Sequence, residues 1–180
     1  MNELERQCLD TFPEWLRTLG DDARSLAAVL EDPDAPEPVQ RYAVASLNYL
    51  FKSLDLISDG IEDLGFLDDA FVLRVAAALA VEAAPAPGSH AETLTRLAED
   101  AKLVQTLLEG VYPRLVGYVQ RLRTGSARGR SVDEILSDEA MRRDFLNEVA
   151  GWAVSYEPPS FTRDEKNLVK LKSFLTTQLP

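Results

Sequence analysis

Apolar residues recur at spacings of three and four along almost the whole chain, a period that predicts helices. Leu4, Cys8, Phe12, Trp15, Leu16 and Leu19 share one helical face. Pro13 is expected to split that face into two pieces, because a mid-helix proline lacks an N–H and crowds the preceding turn. Gly20 reads as a left-handed cap, with Asp21 or Asp22 opening a further helix that carries Leu26, Val29 and Leu30. Glu31 to Pro38 (EDPDAPEP) is a stiff acidic turn. A helix from Val39 to Leu54 follows, with Val39, Tyr42, Ala43, Leu47, Leu50, Phe51 and Leu54 facing inward.

Leu67 to Ala84 is apolar almost all round, the mark of a central helix. Ala84 to Ser89 (APAPGS) is a clear break. Ser89 with Glu92 reads as a capping box, in which hydroxyl and carboxylate each satisfy a free backbone amide. Leu94, Leu97, Ala98, Ala101, Val104, Leu108 and Val111 form the next stripe. Pro113 kinks or restarts it, and Leu115, Val116, Val119 and Leu122 continue it. Thr124 to Arg130 (TGSARGR) reads as a flexible basic loop, and Ser131 with Glu134 as a second capping box. Met141, Phe145, Val149, Trp152 and Tyr156 make another stripe, stopped by Pro158 and Pro159. Thr162 with Glu165 is expected to cap a last helix carrying Leu168, Leu171, Leu175 and Leu179. Strand signals are nearly absent. The pattern predicts an all-α fold, a compact multi-helix bundle of about seven to nine helices.

Composition narrows the function classes. The chain has 180 residues with 46% hydrophobic side chains, enough for a real core in one domain or two small lobes. Its formal net charge of -11 disfavours nonspecific nucleic acid and an anionic membrane surface, since both would repel it. Cys8 is the single cysteine, so no intramolecular disulfide forms and a reducing, cytoplasmic setting is expected. The first ten residues carry acids and no apolar core, so no signal peptide is expected, and no run reaches the ~20 apolar residues of a spanning helix. One histidine, His90, and one cysteine cannot build an ordinary structural zinc site, and no glycine-rich phosphate loop occurs.

The distinctive passage is Ser53 to Asp69, SLDLISDGIEDLGFLDD, which places Asp55, Asp59, Glu62, Asp63, Asp68 and Asp69 between two greasy segments. Ser53-Leu54-Asp55-Leu56-Ile57-Ser58-Asp59 followed by Gly65-Phe66-Leu67-Asp68-Asp69 resembles the YkvA-like family, a bacterial domain of unknown function. Leu54, Ser58 and Glu62 stand where that family's pattern has prolines. The resemblance covers residues 26–84 and implies no established activity. On this basis residues 1–84 form an N-terminal helical half and residues 89–180 a set of helices packed on it, expected as one compact domain.

Two readings of the acids stay open. In the structural one, Asp55 and Asp59 accept backbone amides, Gly65 supplies a positive φ at the end of a short helix, and Asp68 or Asp69 caps the central helix. Arg74, the one cation inside that helix, then pairs with Asp55 or Asp59 as a clamp, because a buried arginine needs a carboxylate. In the functional one, Asp55, Asp59, Asp68 and Asp69 hold magnesium, calcium or manganese, cations that suit oxygen ligands. A second feature, Arg114, Arg121, Arg123, Arg128 and Arg130, is either a solvated basic helix end or an anion patch. No aromatic residue is interleaved from Arg121 to Arg130, which weakens a nucleic-acid role. Trp15, Trp152 and Tyr156 read as core residues; exposed together they would mark a groove.

Positioned nucleophiles, bases and cofactor loops are missing from the sequence, whereas stripes and caps are plentiful. The expected role is therefore a non-enzymatic interaction or regulatory module that binds another protein, without a cofactor and of open oligomeric state. The alternative is a divalent-cation-binding, metal-dependent hydrolase-like protein using the aspartate cluster.

Overall fold

The structure is a computed structural model that describes residues 1–85 and 88–180. It is all-α: the described residues include eight α-helices, one 3-10 turn and one hairpin of two-residue strands. Helix α1 spans Glu3–Leu30 without interruption. It begins with a capping box that the sequence reading missed: Glu5 N donates to Asn2 Oδ1 at 2.8 Å, and Asn2 N to a Glu5 carboxylate oxygen at 2.9 Å. Pro13 does not split it, contrary to expectation. One hydrogen bond is lost there, but Cys8, Phe12, Trp15, Leu16 and Leu19 flank the proline on a face that is buried throughout, and burial of several large side chains outweighs it. Gly20 is not a cap either. It lies mid-helix, where a Cβ would come within 3.2 Å of the carbonyl oxygen of Ala153, so the glycine lets two helices touch backbone to backbone.

Helix α2 (Glu37–Tyr49) ends five residues before Leu54. Its last turn tightens, with Leu50, Phe51 and Lys52 amides donating three residues back, and the chain then leaves the helix. Leu54, expected inside, is 83% exposed. Helix α3 (Leu67–Ala83) closely matches its predicted span and is buried on all sides up to Ala80, packed against α1, α2, α4 (Ala91–Leu108) and α5 (Tyr112–Leu122). Neither Asp68 nor Asp69 caps it; Phe66 occupies that position with φ 67°. The Ser89–Glu92 capping box is not formed, since α4 starts after His90, whose Nε2 lies 3.1 Å from an Asp32 carboxylate oxygen.

Pro113 restarts the chain after the 3-10 turn Glu109–Val111, standing in the first turn of α5. The expected loop Thr124 to Arg130 is instead largely a hairpin: β1 (Ser126–Ala127) pairs antiparallel with β2 (Arg130–Ser131). Arg128 and Gly129 form its two-residue turn with φ 51° and 75°, the positive angles that suit the right-handed twist of a tight hairpin. The Ser131–Glu134 capping box is present and opens α6 (Val132–Ser137). Helix α7 spans Glu139–Ser155. Asp164, not Thr162, caps α8 (Glu165–Gln178) by accepting from Lys166 N at 2.9 Å. Thr162 N donates to Asp63 Oδ1 at 2.7 Å, which ties the approach to α8 to the loop between α2 and α3.

One contiguous apolar core draws side chains from α1 through α8. Trp15 is buried in it, and Trp152 and Tyr156 pack against it, so the three do not form an exposed aromatic groove. Among the described residues no helix is long and apolar enough to cross a membrane.

Candidate functional site

The loop between α2 and α3, residues 50–66, is a series of turns rather than a short helix. Leu56, Ile57 and Leu64 anchor it by burying their side chains. Its fold-back depends on Gly65, but for a different reason than expected. Gly65 does not adopt a positive φ; instead, a Cβ there would collide with the carbonyl oxygen of Asp59. That close approach brings Asp59 back over the start of α3, where Asp68 and Asp69 lie.

One carboxylate oxygen from each of Asp59, Asp68 and Asp69 falls within 4.8 Å of the others. Two oxygens on one calcium-sized cation lie at most ~5 Å apart, so this spacing suits shared ligation. Asp68 and Asp69 are buried and Asp59 is exposed, which gives the triad a closed floor and an open side. Tyr49, a residue the sequence reading passed over, supplies the rest of the floor. Its hydroxyl donates to Asp68 Oδ2 and accepts from Leu56 N at 2.8 Å. Ile57 N also donates to Asp68 Oδ2, at 3.3 Å. The other oxygen of Asp68, one oxygen of Asp69 and one of Asp55 are buried with no hydrogen-bond partner among the described residues. A buried, unsatisfied carboxylate oxygen is costly, and three close together need a proton or a cation.

The titration behaviour follows from this crowding. Burial, with Asp68 and Asp59 adding repulsion, pushes Asp55 up to about 7. Burial raises Asp68 to about 6, even though the Tyr49 and Ile57 hydrogen bonds favour its charged form. Asp69 is held well above the usual carboxylate range, first by burial and then by its three acidic neighbours. Asp59 is also raised by partial burial. Tyr49 is raised by burial and by the adjacent Asp68 and Asp69, so it remains a hydroxyl donor.

Arg74 does not serve as the expected clamp. At about 100° per residue it lies ~140° round α3 from Asp69, on the far side of the helix from the triad. Its fully buried guanidinium pairs with Asp22 at 3.3 Å and Asp100 at 3.1 Å, donates to Ala70 O at 3.1 Å, and stacks 4.1 Å from the Trp15 ring centroid. Arg96 completes this network at 2.7 Å from Asp22. Asp55 and Asp59 are therefore left without an arginine, and no backbone amide among the described residues donates to their carboxylates. Of the four candidate ligands, the structure brings Asp59, Asp68 and Asp69 into one group and sets Asp55 beside it as an electrostatic neighbour.

Comparisons with protein-family models, curated proteins and solved structures return no match.

The arginine set divides into parts. Arg114 is a C-terminal tie, donating to Thr176 O at 3.0 Å, Pro180 O at 3.2 Å and Leu179 O. Arg123 stacks on Tyr42 and donates to Gln120 O. Arg128 and Arg130 stack on Phe51 and Phe145 and share one carboxylate oxygen of Glu148, at 3.5 and 2.6 Å. The aromatic partners absent from the local sequence are supplied by α2, α7 and the loop after α2. Arg121 is exposed and makes no ion pair among the described residues.

Proposed function

We propose that this is a divalent-cation-binding protein whose ligands are Asp59, Asp68 and Asp69, with Asp55 supporting the site's negative charge. The observation that carries this reading is the set of unpartnered carboxylate oxygens on Asp68 and Asp69, buried beside a third carboxylate at ligand spacing. Oxygen-only donors favour magnesium, calcium or manganese over softer metals. Tyr49 and Ile57 N orient Asp68 from behind, the kind of outer support that fixes a ligand carboxylate. The YkvA-like resemblance belongs to the same proposal, since its pattern contributes all four aspartates.

The test is a thermal melt in chelator, magnesium, calcium and manganese, for the wild type and Asp59→Asn. At a cation concentration of about 100 Kd the linkage is ~2.7 kcal/mol, or roughly 5–10 °C for a chain of this length. Binding must also release protons, because raised carboxyls ionise to ligate. Calorimetry in buffers of different ionisation enthalpy reads that release. A wild type indifferent to all three cations sinks the proposal.

A further inference from the structure

We infer that the cavity beside Asp59 receives the phosphate group of a small phosphorylated molecule, shared between Lys52, Arg128 and the cation held at Asp59. This rests on the cation reading above. The cavity has a volume of about 570 Å³, within the range of small-molecule sites. Its walls include Asp59, Lys52, Ser53, Ser126, Arg128 and Gly129. Asp59 is thus the residue common to the aspartate triad and the cavity.

The charge lining the cavity is opposite in sign to that of the whole chain. The chain carries -11 overall, yet two cations and a single carboxylate line this space. Lys52 makes no ion pair among the described residues. Arg128 and Arg130 divide one Glu148 oxygen, and Arg130 takes the shorter contact. Arg128 therefore keeps most of its five N–H donors for another acceptor. Its guanidinium is also held in place, 4.8 Å from the centroid of Phe51, a ring that forms part of the cavity wall. A guanidinium and an ammonium facing one space suit a doubly charged oxyanion. Magnesium-like cations commonly complete their coordination with phosphate oxygens rather than with an all-protein cage, and the triad supplies three protein ligands with one exposed side. The two serine residues at the wall add hydroxyl donors of the kind that phosphate oxygens accept.

Isothermal titration of the manganese-loaded full chain with inorganic phosphate and with a sugar monophosphate tests this. Arg128→Asn and Lys52→Gln serve as variants, asparagine being chosen because it tolerates the positive φ at position 128. Phosphate is expected to bind the loaded wild type at least tenfold more tightly than the chelator-treated protein. Both variants should lose tenfold or more in phosphate affinity while manganese affinity stays within about twofold. Tighter binding of the sugar phosphate supports an organic ligand, and equal binding supports free phosphate. Manganese uptake with no phosphate uptake, or variants that bind phosphate like the wild type, overturns the inference and leaves the cation site standing. Absence of manganese uptake overturns both. Unchanged circular-dichroism melts of the variants exclude misfolding as the cause of any loss.

Discussion

Without a cation, the protein should become less stable as pH rises from 5 to 8. The sign follows from the raised carboxyls. A group whose folded pKa lies above its unfolded value binds more protons in the folded state, so unfolding releases protons and stability falls with pH. Asp68, near 6, loses roughly one unit of this advantage between pH 5 and 6, on the order of 1–2 kcal/mol. Asp55, near 7, loses two units, which we halve to on the order of 1–2 kcal/mol because it is partly screened by solvent. Asp69 adds to the trend in the same direction. The sum is about 3 kcal/mol, or a fall in Tm of roughly 6–12 °C. Differential scanning fluorimetry in chelator at half-unit pH steps reads it. Saturating manganese or magnesium should flatten the slope, because a ligated carboxylate is stabilised as the anion. A Tm that stays level or climbs from pH 5 to 8 in chelator would refute the reasoning, since it would mean that the aspartates are compensated within the fold.

Three further outcomes separate the site from its surroundings. Asp69→Asn should raise Tm in chelator at pH 8 and abolish any gain from cations; a structural clamp would instead show a lower Tm. Gly65→Ala should cost about 1–3 kcal/mol by forcing the Asp59 carbonyl away, and should weaken cation binding at least tenfold, measured by denaturant unfolding and calorimetry. Arg74→Met should destabilise the fold by about 3–5 kcal/mol by leaving Asp22 and Asp100 short of their buried partner. Yet at permissive temperature its cation affinity should match the wild type within about twofold; a large drop would place Arg74 at the site after all.

The apolar stripes carried most of the fold into view, because burial repeats every three or four residues regardless of what the helix packs against. The exceptions are positions where a tertiary contact overrides a local rule. Pro13 reads locally as a breaker, but its neighbours' burial holds α1 together. Gly20 reads as a terminator, and only the approach of Ala153 reveals its use. That Arg74 would need carboxylates followed from its apolar setting; which carboxylates did not, because Asp22 and Asp100 are distant in sequence and the nearest acids lie on another side of the helix. At the site, the four aspartates were visible as a group. Their convergence was not, because it depends on the backbone contact between Gly65 and Asp59. Tyr49 left a faint signal: with Ser46 and Asn48 it puts three buried polar residues near the end of α2, more than an ordinary core face carries.

The touching point of α1 and α7 at Gly20 has a mechanical consequence. Close beyond it, the Tyr156 hydroxyl donates to Leu16 O at 2.7 Å, and the Tyr156 ring meets Phe66 edge-on at 5.3 Å. Phe66 is the residue that turns the chain into α3, two residues before the aspartate pair. The crossing therefore acts as a fulcrum: a side chain at position 20 would tilt α7, and the lever arm through Tyr156 and Phe66 would deliver that tilt to Asp68 and Asp69. A mutation at the α1–α7 crossing, at a residue that is no ligand, would in this way detune the site.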